Sequence, residues 1–213
     1  MRGKKMKKLI ALLLIITSLF FIVSCGDENR KYNEEEVIEA AERLIPKSKK
    51  LNDIFWGYGI RYIEDDNYKN GVYYPADQLH LTELGYDSVD EIISAMTKVY
   101  SISYARSIAS AVFSSTVGTT GSVGLVRYYQ EKDILMVYGE YNQFLYDDVN
   151  YLTDSIKVLG SKGKRVQVEI SVEITDSDTK EAQTREIKFY LVEEADGWRI
   201  DSPTYASYQH TKK

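Results

Sequence analysis

The residues best equipped for chemistry in this chain are few and scattered. Its two histidines, His80 and His210, lie far apart in sequence, and Cys25 is the only cysteine. A zinc site needs His and Cys ligands at close spacing, so neither a metal nor another cofactor is expected. A Ser-His-Asp arrangement would need one of those histidines as its base, and no Gly-x-Ser-x-Gly elbow is present to offer a nucleophile. Ser161 and Lys164 match a Ser-x-x-Lys spacing, but they fall in a hairpin turn rather than at a helix start. The run from Gly118 to Gly124 lacks the Gly-Lys-Ser/Thr ending of a phosphate loop and joins helix to strand, the reverse of that motif's order. Carboxylates are plentiful, at Asp65, Asp66, Asp147, Asp148, Asp176 and Asp178. Glycoside hydrolysis requires two that face each other with separated pKa values, and facing is not visible in sequence. Asp176 and Asp178 could open a calcium loop, but the glycine and closing glutamate of an EF-hand are missing. The expectation is a protein that is not an enzyme.

Recognition is the chemistry the composition favours. From Gly57 to Asp87 no clear period survives over 31 residues, a length at which irregular segments usually carry function. Six acidic residues in that stretch accompany Tyr58, Tyr62, Tyr68, Tyr73, Tyr74 and Tyr86. A tyrosine offers contact area at low entropic cost and a polar tip, so Tyr58, Tyr62, Tyr73, Tyr74 and Tyr86 are the candidate partner-binding residues. The competing reading is that these rings cover a sheet edge.

Helices must position that stretch. Asn33 with Glu36 has the spacing of a capping box, and Val37, Ala41, Leu44, Ser48, Leu51 and Phe55 follow at helical spacing. They predict a helix over about 34–56, kinked or split at Pro46. Ser88 and Glu91 form a second capping-box pair before a helix running to about Tyr100, and a third helix follows a break near Ser101–Ser103.

Strands dominate thereafter. Leu125–Gln130 and Ile134–Gly139 read as a hairpin, and Ser155–Gly160 as a further strand. Val166, Val168, Ile170, Val172 and Ile174 alternate with polar residues, and Ile187, Phe189 and Leu191 mark the partner strand. A last short strand carries Trp198 and Ile200. The fold class is α+β, with N-terminal helices packed on a curved antiparallel sheet of about six strands.

The first 24 residues differ from the rest. Arg2, Lys4, Lys5, Lys7 and Lys8 precede an apolar run from Leu9 to Val23, the layout of a secretory signal. Ile22-Val23-Ser24-Cys25 resembles the lipobox of bacterial lipoproteins. The resemblance implies that Cys25 becomes the mature N-terminus and carries a lipid that anchors the protein to the membrane, on its extracytoplasmic side. The expected organisation is signal 1–24, tether 25–32, one domain 33–207 and a polar tail 208–213. The signal holds five of the 27 basic residues and none of the 32 acidic ones, which leaves a mature formal charge of −10. Such a chain is a poor partner for nucleic acid, whose phosphates require Lys and Arg.

The ending Asp196-Gly197-Trp198-Arg199-Ile200-Asp201, after helices and strands in this order, resembles the cystatin/NTF2-like superfamily. That likeness implies a curved sheet whose concave face Trp198 and Ile200 plug, with Arg199 and Asp201 facing away. Ala40–Phe55, Tyr100–Ala105 and Gly197–Asp201 are also similar to stretches of IseA-type inhibitors of peptidoglycan D,L-endopeptidases. This second likeness implies a non-catalytic partner of a cell-wall hydrolase. The alternative is a small-molecule or glycan-binding NTF2-like pocket protein, a class in which some relatives perform acid–base chemistry.

Overall fold

Asn33 has an extended backbone, and its side chain accepts from the Glu35 N–H at 3.1 Å, which starts helix α1, Glu34–Phe55. Glu36 closes no capping box. Its carboxylate accepts from the indole N–H of Trp198 at 3.2 Å and ties the helix start to the last strand. The predicted stripe from Val37 to Phe55 is buried, and Ala40, Ile45, Asn52 and Ile54 widen it. Pro46 does not split the helix. The N–H it lacks would have reached the Glu42 carbonyl, and both residues lie on the exposed face, where water can serve that oxygen.

This computed structural model describes residues 32–65, 71–113, 126–139 and 147–207, and the chain from Tyr32 onward belongs to one unit. The signal segment, Cys25, most of the tether, Asp66, Tyr68, the run 118–124, His210 and the tail lie outside the described residues. The remaining described elements are β1 (Tyr73–Pro75), α2 (Gln78–Leu84), α3 (Val89–Val99), α4 (Ile102–Val112), β2 (Tyr128–Glu131), β3 (Ile134–Tyr138), β4 (Asp148–Lys162), β5 (Arg165–Thr175), β6 (Ala182–Glu194) and β7 (Gly197–Ile200). The class is α+β. Its strands divide between two antiparallel sheets, one ordered β1-β3-β2 and the other β4-β5-β6-β7.

The larger sheet is built as its alternation predicts. Val166, Val168, Ile170, Val172 and Ile174 of β5 are all buried, and Val168 pairs with Phe189 and Ile170 with Ile187 across β6. Strand β4 is longer than its apolar pattern suggested, because register shifts between Leu152 and Lys157 and between Val158 and Gly160 break the alternation and bend the strand. The apolar face packs against α1, with Phe189, Leu191, Trp198 and Ile200 in one core. Arg199 points to the opposite face of β7, yet it too is buried. It donates to the Thr97 carbonyl at the end of α3 at 3.1 Å and pairs with Asp196. The α3–α4 junction covers the free edge of β7, with Tyr100 bridged to Ile200 and the Ser101 N–H on the Ile200 carbonyl at 2.8 Å.

A buried polar cluster fixes α1 against the chain's end. Ser48 hydrogen-bonds Thr204 at 2.6 Å and the Tyr100 hydroxyl at 3.0 Å, and the Asn52 amide donates to Thr204 at 3.0 Å. Tyr151 donates to the Thr204 carbonyl at 2.9 Å. The smaller sheet holds the last turn of α1: Tyr128 donates to the Ile54 carbonyl at 2.7 Å, while Arg127 donates to the Phe55 and Gly57 carbonyls at 2.8 and 2.6 Å. The bonds to Ile54 and Phe55 serve carbonyls that a helix C-terminus leaves unmatched.

Candidate functional site

The stretch expected to lack regular structure holds β1 and α2. Helix α2 has one buried residue, Leu81, so seven residues give no readable period. Its ends are nonetheless marked. Asp77 caps it by accepting from Leu79 and His80 N–H at 3.0 and 3.4 Å, and Gly85 ends it at φ 73°, a left-handed conformation suited to glycine.

This helix forms one wall of a cleft of about 550 Å³. Lys49, Asp53 and Ile54 come from the last turns of α1; Tyr58, Gly59 and Arg61 from the segment behind it; His80, Glu83 and Leu84 from α2; Asp147 and Asp148 from the start of β4. Lys49 and Asp53 stand one helical turn apart and pair at 3.3 Å. Arg61 reaches Glu83 at 3.1 Å and Asp77 at 3.9 Å. The Arg61 N–H donates to His80 Nδ1 at 2.9 Å, so the neutral imidazole carries its proton on Nε2.

Burial and the neighbouring Arg61 charge hold His80 below the usual histidine range. Burial raises the Asp53 carboxyl, and the charge of Asp148 adds to that rise against the opposing pull of Lys49. Beneath the cleft, Gly59 has φ 73°, and a Cβ there would stand 2.3 Å from the Arg127 guanidinium and 2.6 Å from the Tyr128 hydroxyl. Only glycine brings the chain this close to the capped end of α1.

The five candidate tyrosines divide. Tyr58 lies in the cleft and is 59% exposed. Tyr62 stacks on Tyr74 with ring centres 4.9 Å apart, and its hydroxyl donates to the Gly139 carbonyl at 3.3 Å. Tyr73 donates to the Val126 carbonyl at 2.8 Å, accepts from the Val126 N–H at 3.0 Å, and packs on Tyr129 and Tyr138. These three rings are half-buried parts of the smaller sheet. Tyr86 is half-buried beside Lys50, whose ammonium stands 5.2 Å from the ring centre. Asp176 is committed to its own turn, accepting from the Asp178 and Thr179 N–H groups at 2.9 and 2.6 Å.

Sequence reading missed Lys49, Asp53, Arg61 and Glu83. The Asp77-to-Gly85 frame and the four-residue spacing of Lys49 and Asp53 were the available signals.

No protein-family model matches the chain. A search of curated proteins likewise finds no similar sequence.

Proposed function

We propose that the protein is a non-catalytic cell-surface lipoprotein, anchored outside the cell membrane through Cys25, that binds a cell-envelope protein. A peptidoglycan hydrolase of the D,L-endopeptidase type, inhibited or regulated on docking, is the partner its resemblances suggest. The observation carrying the binding reading is the cleft, with Tyr58 in its lining and largely open to solvent. A tyrosine so placed is a ready anchor, since its ring contributes contact area and its hydroxyl a hydrogen bond. His80 Nδ1 accepts a backbone N–H, so the neutral ring offers Nε2–H to a ligand as a hydrogen-bond donor. The lipobox-like Ile22–Cys25 supports the location.

The test is to incubate the protein with purified cell-wall hydrolases on peptidoglycan. At least one D,L-endopeptidase should slow in proportion to added protein. If none slows and none co-purifies with the protein, this reading fails.

A second reading is favoured by the cleft's size, which lies in the range of small-molecule sites. A raised Asp53 and a lowered His80 in one cleft are the kind of pair that acid–base chemistry uses. Saturable binding of a wall oligosaccharide at the cleft, with every hydrolase unaffected, would favour it.

A further inference from the structure

We infer that the outer edge of β4 docks a second copy of this chain, the two β4 strands running antiparallel about a two-fold axis and joining their sheets into one. The larger sheet ends differently on its two sides. The α3–α4 junction covers the edge of β7, whereas among the described residues β4 pairs with β5 alone. An edge strand of 15 residues, Asp148–Lys162, therefore turns a row of backbone N–H and C=O groups outward. Such a row is a template for another strand.

The charges along this edge select the occupant. Its exposed acids, Asp148 and Asp154, come first, and its exposed lysines, Lys157 and Lys162, come after. None of the four has an ion-pair partner among the described residues. Two copies placed parallel would set acid against acid and lysine against lysine. Placed antiparallel, each acidic half meets a basic half, and the two-fold axis makes every such pair occur twice.

Strand β5 measures the fit. Asp148 lies beside Thr175 and Lys162 beside Arg165, five residues or about 17 Å to either side of Ile170. Thr175 and Arg165 belong to the alternate set of β5 that faces away from the buried Val166–Ile174 set. Asp148 and Lys162 therefore share the sheet's solvent face. An axis at the level of Ile170 brings Asp148 of each copy opposite Lys162 of the other, on that one face. The longer register shift of β4, between Leu152 and Lys157, falls at the same level. Its extra residues thus meet at the axis, and the new ladder forms on either side of it. Asp154 lies within that shift and Lys157 ends it, so the inner acid and base also meet near the axis. Asp148 lines the cleft as well, so the second copy's Lys162 stands at the cleft's rim and adds a cation there. Neither the lipid anchor nor a hydrolase is needed for this pairing.

The test is sedimentation of the full chain over a range of concentrations, with detergent micelles in large excess. A monomer–dimer equilibrium is expected. Asp148→Lys and Lys162→Asp each turn two attractive pairs into repulsive ones and should weaken the dimer about tenfold, while the D148K/K162D double variant should restore it. Thermal melting checks that the variants fold. Independently of any variant, carbodiimide coupling of a mixture of isotopically labelled and unlabelled chains should join Asp148 of one isotope to Lys162 of the other. A chain that stays monomeric at every concentration would overturn the inference. So would a dimer indifferent to both reversals, a double variant that fails to restore it, or coupling confined to chains of one isotope.

Discussion

At the scale of single residues, Gly59 carries the tightest steric demand in the cleft. Gly59→Ala must accept a left-handed backbone and push aside Arg127 and Tyr128, whose bonds close the end of α1. The expected loss is about 2–4 kcal/mol of unfolding free energy, read from urea midpoints. Tyr104 and Tyr151 give a pH signature. Burial pushes both phenols up to about 12, against 10.0 for a free tyrosine. Between those values the folded chain holds protons that the unfolded chain has lost. Stability should therefore be full below pH 10 and fall as pH rises toward 12, which thermal melts across that range will measure. Residue roles were the least legible part of the sequence. Tyr58 and Tyr62 are four positions apart in an irregular segment, yet one is exposed and the other stacked on Tyr74. Nothing local to either residue decides this; the partner ring arrives from β1.

At the scale of elements, α2 holds His80 and Glu83 in the cleft, and Asp77 holds α2. Asp77→Ala removes the cap of the helix together with a partner of Arg61. It should cost about 1 kcal/mol in urea unfolding, with two-dimensional NMR shifts concentrated at His80 and Arg61. Legibility here followed pattern length. The alternation of β5 and the stripe of α1 span many residues and were readable, while α2 spans seven with one buried position. The bulges of β4 interrupt the period that reveals a strand, so its full length is not legible in the sequence. Pro46 does not split α1, since its penalty falls on the helix face that water reaches.

At the scale of the whole molecule, the larger sheet and α1 form the frame, and the cleft is assembled from the last turns of α1, the segment behind it, α2 and the start of β4. The sheet's apolar face is occupied by Phe189, Trp198 and α1, and the open cleft lies beside the last turns of that helix. The division of the strands into two sheets was not legible, because the smaller sheet pairs β1 with β3 across more than fifty residues of helix and connection. The proposed anchoring belongs to this scale as well. Cys25→Ser should move the protein from the membrane fraction to the soluble fraction on cell fractionation. The measurement that tests the central claim most directly is NMR mapping of the isotopically labelled protein titrated with a D,L-endopeptidase. The cleft account predicts that perturbations gather at Asp53, Tyr58, Arg61, His80 and Asp148. A hydrolase that binds through the solvated face of the larger sheet, perturbing Glu169 and Lys188 and leaving the cleft unchanged, would contradict it.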